Sequence, residues 1–235
     1  HYTGHSPGIF VFGLFFQPGI APAFLWGFPA MTITLHLGDL PDGLSFGNSV
    51  AIDTETLGLR PHRDRLCLVQ LSAGDGTAHL VQLKAGQYDA PNLKKLLADK
   101  NVTKLFHFAR FDVAVMYQYL GVVTAPIYCT KIASRLARTF TQHHSLKTLC
   151  KDLIGVDLDK QQQTTDWGAD TLTQEQMNYA ASDVLHLHRM KAVLDTMLVR
   201  EGRMHLAQAC FDFLPSRALL DIAGWDEEDI FSHSS

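Results

Sequence analysis

Residues 49–55 (SVAIDTE), 65–72 (RLCLVQLS) and 77–83 (TAHLVQL) are three apolar, β-branched runs in quick succession, separated by breaks containing Gly and Asp. Runs so short and so bounded read as strands, because a helix that buries a continuous face needs roughly ten residues or more. The break Gly74-Asp75-Gly76 is a hairpin signal, since glycine supplies the positive φ of tight turns between antiparallel strands. The second and third strands are therefore predicted to be antiparallel. After them the texture changes: residues 92–99 read as helix, 102–106 as strand, 110–120 as helix stopped by Gly121, and 127–129 as a further short strand. Strands in a row, then strands alternating with helices, predict an α/β fold with a mixed β-sheet flanked by α-helices.

Farther along, Thr173 and Gln176 fit a capping box, with Leu172 and Met177 at the staple positions. A helix is predicted to begin there and run into the 190s. No repeat or low-complexity linker divides the chain, so residues 31–235 are expected to form one domain. Its tail, residues 219–235, carries Asp221, Asp226, Glu227, Glu228 and Asp229 and reads as a solvated or partner-contacting acidic segment.

The 235 residues, 46% of them hydrophobic, suffice for a core that needs neither disulfide nor structural metal. Cys67, Cys129, Cys150 and Cys210 are dispersed, without a C-x-x-C pair, which fits a reduced, cytoplasmic compartment. A net charge of −4 does not mark a nucleic-acid binder in bulk, so the distribution of charge must decide. The first 38 residues hold no Asp, Glu, Lys or Arg. Pro18, Pro22, Gly13, Gly19 and Gly27 interrupt any spanning helix there, and no basic segment precedes the apolar run, so neither a membrane span nor a signal peptide is predicted. Residues 1–30, upstream of the first methionine Met31, read as an apolar extension that is non-native or carries no chemistry.

Asp53 and Glu55 lie two apart on a predicted strand and so project to one face. Asp112 opens the helix after the fourth predicted strand, in His107-Phe108-Ala109-Arg110-Phe111-Asp112. Tyr179 and Asp183, four apart on the capped helix, share a face one turn from each other. Singly these are ordinary: a strand end, a first-turn acid favoured by the helix dipole, a surface pair. Together they would set four carboxylates at one sheet edge, a cluster that repels itself without cations. Hard divalent ions, Mg²⁺ or Mn²⁺, suit such oxygen donors, and a pair of them activates water and stabilises a leaving oxygen in phosphoryl displacement.

Asp53-Thr54-Glu55, Phe111-Asp112 and Tyr179-Ala180-Ala181-Ser182-Asp183, in that order, resemble the three motifs of the DEDD exonuclease superfamily, tyrosine subtype, and most nearly ribonuclease D. Asn178, not histidine, stands five before Asp183, which argues against the histidine subtype. The resemblance covers about residues 49–198. It implies an RNase H-like fold and two divalent cations held by Asp53, Glu55, Asp112 and Asp183, with Tyr179 orienting the attacking water. It also implies removal of nucleoside 5′-monophosphates from the 3′ ends of single-stranded RNA. The long ribonuclease D proteins add helical HRDC domains, and after the nuclease domain this chain has no room for one. A single exonuclease domain without HRDC is therefore expected, and the family's transfer-RNA preference is not carried over. The alternatives are the same chemistry on DNA, or a non-catalytic nucleic-acid-binding module; the module would usually have lost an acid, and none is missing.

Between Val113 and Lys151 there is no acid, while Lys131, Arg135, Arg138, Lys147 and Lys151 contribute +5. Lys131, Arg135 and Arg138 recur at spacings of four and three, a basic stripe suited to a phosphate backbone, and His143 and His144 follow it. Matching family positions imply that Thr54 and Leu57 meet the terminal nucleotide, through backbone and an apolar wedge, and that His107 and Phe111 meet its sugar or base. Trp167 reads equally as a stacking residue or as core. Gln161-Gln162-Gln163 reads as a polar loop near the entrance.

Overall fold

A computed structural model describes residues 31–158 and 165–233 of the chain. The expectations for residues 1–30 and for the glutamine loop fall outside these. Six strands form one sheet: β1 (Thr32–Leu37), β2 (Ser49–Thr56), β3 (Leu66–Ser72), β4 (Thr77–Gln82), β5 (Thr103–Phe106) and β6 (Ile127–Cys129), in the spatial order β1-β4-β3-β2-β5-β6. β3 runs antiparallel to β2 and β4, and every other pair is parallel, so the sheet is mixed as predicted. The β3–β4 hairpin turns at Gly74 and Gly76, whose φ of 80° and 91° only glycine adopts without strain. β1 was not anticipated. It is an edge strand whose side chains are all at least partly exposed, and such a strand lacks the apolar signature of an interior one.

β2 has a neighbour on each side, and Val50, Ala51 and Ile52 are fully buried. A strand so enclosed cannot slip by one residue without sending every apolar side chain to the wrong face. Asp53 and Glu55 inherit that fixed orientation.

The helices are α1 (Pro91–Ala98), α2 (Ala109–Leu120), α3 (Thr130–Ala137), α4 (Leu146–Ile154), α5 (Gln174–Leu185), α6 (Leu187–Arg200) and α7 (Met204–Leu220). α2 ends where expected: Gly121, at φ 66°, returns its N–H to the Tyr117 carbonyl. α5 starts with the predicted capping box, Thr173 and Gln176 bonding reciprocally at 2.9 and 3.2 Å. It lies across β1 to β4, where Leu68, Leu80, Trp167, Leu172 and Ala180 form a small core. The larger core lies among the rest of the sheet, α2 and the α3, α6 and α7 bundle.

Two expectations need correction. The helix beginning after Thr173 does not run unbroken into the 190s but stops at Leu185, and α6 restarts at Leu187. Within α5 the Ser182 hydroxyl donates to the Tyr179 carbonyl at 2.7 Å, a side-chain bond that bends helices. The acidic tail is not wholly solvated either. Asp221, at the start of a π-helical turn over Asp221–Trp225, is buried and accepts from Arg110 at 2.6 and 2.8 Å and from Arg217 at 2.7 Å. The following acids, Asp226 to Asp229, are exposed.

Candidate functional site

β2 delivers Asp53 and Glu55 to the face covered by α5, and α5 carries Asp183 down to meet them. One carboxylate oxygen from each of the three lies within 4.8 Å of the others. Thr54, between them on the strand, points to the opposite face. There its hydroxyl donates to Asp112 Oδ1 at 2.6 Å, holding the first-turn acid of α2 against the end of β2. Both are buried, Asp112 to 3% exposure. The strand thus serves the site from both faces: two acids directly, and a third through the hydroxyl between them.

The charges on these groups accumulate. Burial first, then the charges of Asp112, Asp183 and Glu55, hold the Asp53 carboxyl well above the usual carboxylate range. Burial, Asp183 and Asp112 push Glu55 up to about 9. Asp112 is pushed up to about 7 by burial, and the Thr54 hydroxyl bond opposes the rise. Such crowding is relieved either by protons or by cations. An all-oxygen donor set of this kind fits hard divalent ions, which keep several waters while bound to a few carboxylates.

Tyr179 stands one turn before Asp183. Burial and then the charges of Asp183, Glu55 and Asp53 raise its phenol above its ordinary range, so it stays protonated and acts as an O–H donor. Trp167 packs on it with ring centroids 6.1 Å apart. At 3% exposure Trp167 takes the second of its two readings, core, and not that of a base-stacking residue: it braces Tyr179 from inside the molecule.

The profile of the 3′-5′ exonuclease domain matches residues 37–199, a span that contains all four acids and Tyr179. The chain belongs to the 3′-5′ exonuclease family. Ribonuclease D of Granulibacter bethesdensis is 35% identical over 155 residues, 66% of this chain and 39% of that protein. Ribonuclease D of Gluconacetobacter diazotrophicus is 35% identical over 181 residues, 76% of this chain and 46% of that one. The chain therefore spans less than half the length of these two relatives. Brucella melitensis NrnC, solved with bound Mg²⁺, superposes with a TM-score of 0.84 at 56% identity, covering 87% of this chain and all of that one. The same protein has been solved bound to pGG, at a TM-score of 0.85. Escherichia coli RNase D superposes at 0.63 with 27% identity, over 73% of this chain and 45% of that one.

Around these acids the flanking residues divide. His107 donates Nδ1–H to Thr130 at 2.9 Å, because Thr130 directs its one hydroxyl proton to the Phe106 carbonyl. Phe111 is half-buried and lines a cleft of about 640 Å³ with Phe108 and the residues Leu59, Arg60, Pro61, His62 and Arg63 of the β2–β3 loop. Leu59, 84% exposed, adds a further apolar side chain to this cleft; Leu57, 52% exposed, lies outside its lining and touches Gly168, where an added Cβ would lie 2.9 Å from its Cδ2. Sequence reasoning named Leu57 and did not consider Leu59, since two leucines flank one glycine and spacing does not rank them.

The basic stripe survives in part. Lys131 sits 4.3 Å from the centroid of the half-exposed Phe108 ring, and Arg135 is exposed one turn on. Arg138 leaves the stripe: it is 4% exposed and donates to Asp152 at 2.5 Å, which corrects its reading as a phosphate contact. His144 is likewise buried, on Ser134 at 2.8 Å. No helix among the described residues is long and apolar enough to cross a membrane.

Proposed function

We propose that the chain is a metal-dependent 3′-5′ exoribonuclease that releases nucleoside 5′-monophosphates from single-stranded RNA, with short 5′-phosphorylated oligoribonucleotides such as pGG among its substrates. The observation that carries this reading is the meeting of Asp53, Glu55 and Asp183 within 4.8 Å, backed by Asp112 and beside a neutral Tyr179. The ligand is suggested by NrnC, 56% identical and solved with pGG. Two divalent cations, Mg²⁺ or Mn²⁺, held by Asp53, Glu55, Asp112 and Asp183 would supply the charge that lowers the pKa of a bound water and stabilises the leaving oxygen.

The chain's own residues do the rest. Tyr179 directs its O–H and so orients the attacking water; with its pKa raised it does not serve as the base. Leu59 and Phe111 offer apolar surfaces on which an unpaired base stacks, and this favours single strands. His107 meets the sugar or base of the terminal nucleotide, and Lys131 and Arg135 neutralise phosphates. The backbone of Thr54 lies beside the terminal nucleotide.

Digestion of 5′-labelled single-stranded RNA, the same sequence as DNA, and pGG tests this, each with Mg²⁺, Mn²⁺ or chelator. A ladder descending from the 3′ end of RNA, cleavage of pGG to mononucleotides, and loss of both in chelator and in Asp53→Asn are expected. Cleavage of DNA alone would favour the DNA enzyme, and activity of Asp53→Asn equal to wild type would refute the assignment of the acids.

A further inference from the structure

One fully buried side chain next to the acids has no hydrogen-bond partner among the described residues. Gln70 on β3 stands directly opposite Asp53 on β2 and opposite Leu80 on β4. Opposed residues of an antiparallel pair share a face, with Cβ atoms about 5 Å apart. Gln70 therefore lies on the Asp53 side of the sheet, beneath α5, beside Leu68, Leu80 and Ala180. It is 0% exposed, and neither its Nε2 nor its Oε1 has a hydrogen-bond partner among the described residues. An amide left unpaired in apolar surroundings opposes folding, whereas Leu or Met of similar volume would not.

We propose that Gln70 is a positioning residue for cation binding: its Nε2–H donates to the Asp53 carboxylate, directly or through one water, once Asp53 turns its other oxygen toward Glu55 and Asp183. A carboxylate offers about four lone-pair positions. Asp53 already accepts from the Thr54 backbone N–H, and cations occupy the side facing Glu55 and Asp183, so the Gln70 side is the one left to orient it. Donors behind a ligating carboxylate fix its direction and raise metal affinity. The inference rests on the two-cation reading of the site.

Isothermal titration of Mn²⁺ into wild type, Gln70→Leu, Gln70→Met and Asp53→Asn, with thermal unfolding of each in chelator, tests it. Both Gln70 variants are expected to bind Mn²⁺ about tenfold more weakly or worse. Their unfolding temperatures without metal should equal or exceed that of wild type, because an orphaned amide has been removed. A purely structural amide would give the reverse, a lower unfolding temperature with unchanged affinity. Mn²⁺ affinity within about twofold of wild type in either variant overturns the proposal. If Gln70→Leu does not fold, Gln70→Met carries the same measurement, and failure of both to fold also overturns it. Equal binding by wild type and Asp53→Asn sinks the two-cation reading itself, a result distinct from equal binding by wild type and the Gln70 variants.

Discussion

Thr54→Val removes the hydroxyl that donates to Asp112 while keeping shape and β-branching, so β2 is expected to stay in place. A buried bond at 2.6 Å from a hydroxyl to a carboxylate is worth about 1.5–3 kcal/mol, or roughly one to two pKa units on the acceptor. The bond favours the charged form, so its loss raises Asp112 from about 7 toward roughly 8–9. At pH 7.5 a carboxyl titrating at 7 is about three-quarters ionised, falling to about a quarter for one unit of rise and about 3% for two. Cations bind the ionised form. The variant should therefore bind Mn²⁺ about threefold to twenty-five-fold more weakly at pH 7.5, with the gap narrowing as pH rises. The acid limb of its pH–rate profile at subsaturating metal should move upward by about one to two units. Calorimetric titration at several pH values and initial rates on pGG measure both. An acid limb that stays in place, or an affinity deficit independent of pH, would refute the role given to the Thr54 hydroxyl.

Other consequences are as direct. Glu55 and Asp112 carry folded-state pKa values of about 9 and about 7, above their ordinary 4.5 and 3.8, so the folded protein binds more protons than the unfolded chain across that window. Metal-free stability is then greatest below those ordinary values and declines as pH rises through about 7 and about 9; thermal unfolding in chelator should show the decline, and Mg²⁺ should flatten it. Tyr179→Phe should bind Mn²⁺ as wild type does yet turn over about 10²-fold or more slowly, as single-turnover assays would reveal. Leu59→Ala should raise KM for pGG, while Leu57→Ala, packed over Gly168, should change KM less and stability more. Asp221→Ala strands Arg110 and Arg217 without their shared carboxylate and should cost about 2–3 kcal/mol in urea unfolding.

The acids were readable because each motif is local. Period two on β2, a first-turn acid and a four-residue step on a capped helix each place a carboxylate without reference to distant chain. What supports them was not readable, because it crosses between elements. The Thr54 hydroxyl finds Asp112 across 58 positions, and the Asp221 carboxylate finds Arg110 across 111. Arg138 illustrates the limit of periodicity. Its spacing from Lys131 matches an exposed stripe, but it lies just past the end of α3, and Asp152, on α4, draws it inside. Trp167 is ambiguous for another reason: an indole suits a core and a nucleobase equally, and only its burial against Tyr179 decides. β1 and the break at His186 escaped because a half-exposed edge and a one-residue interruption leave almost no trace in hydropathy.

That interruption divides labour within what would otherwise be one long rod. α5, bearing Tyr179 and Asp183, rests on the strands, while α6 joins α3, α4 and α7 in the outer bundle. A straight helix across both would have transmitted any tilt of the bundle to Asp183 as a lever does. With the joint at His186, Tyr179 and Asp183 are seated by the strands beneath α5, and the packing of the bundle falls to α6.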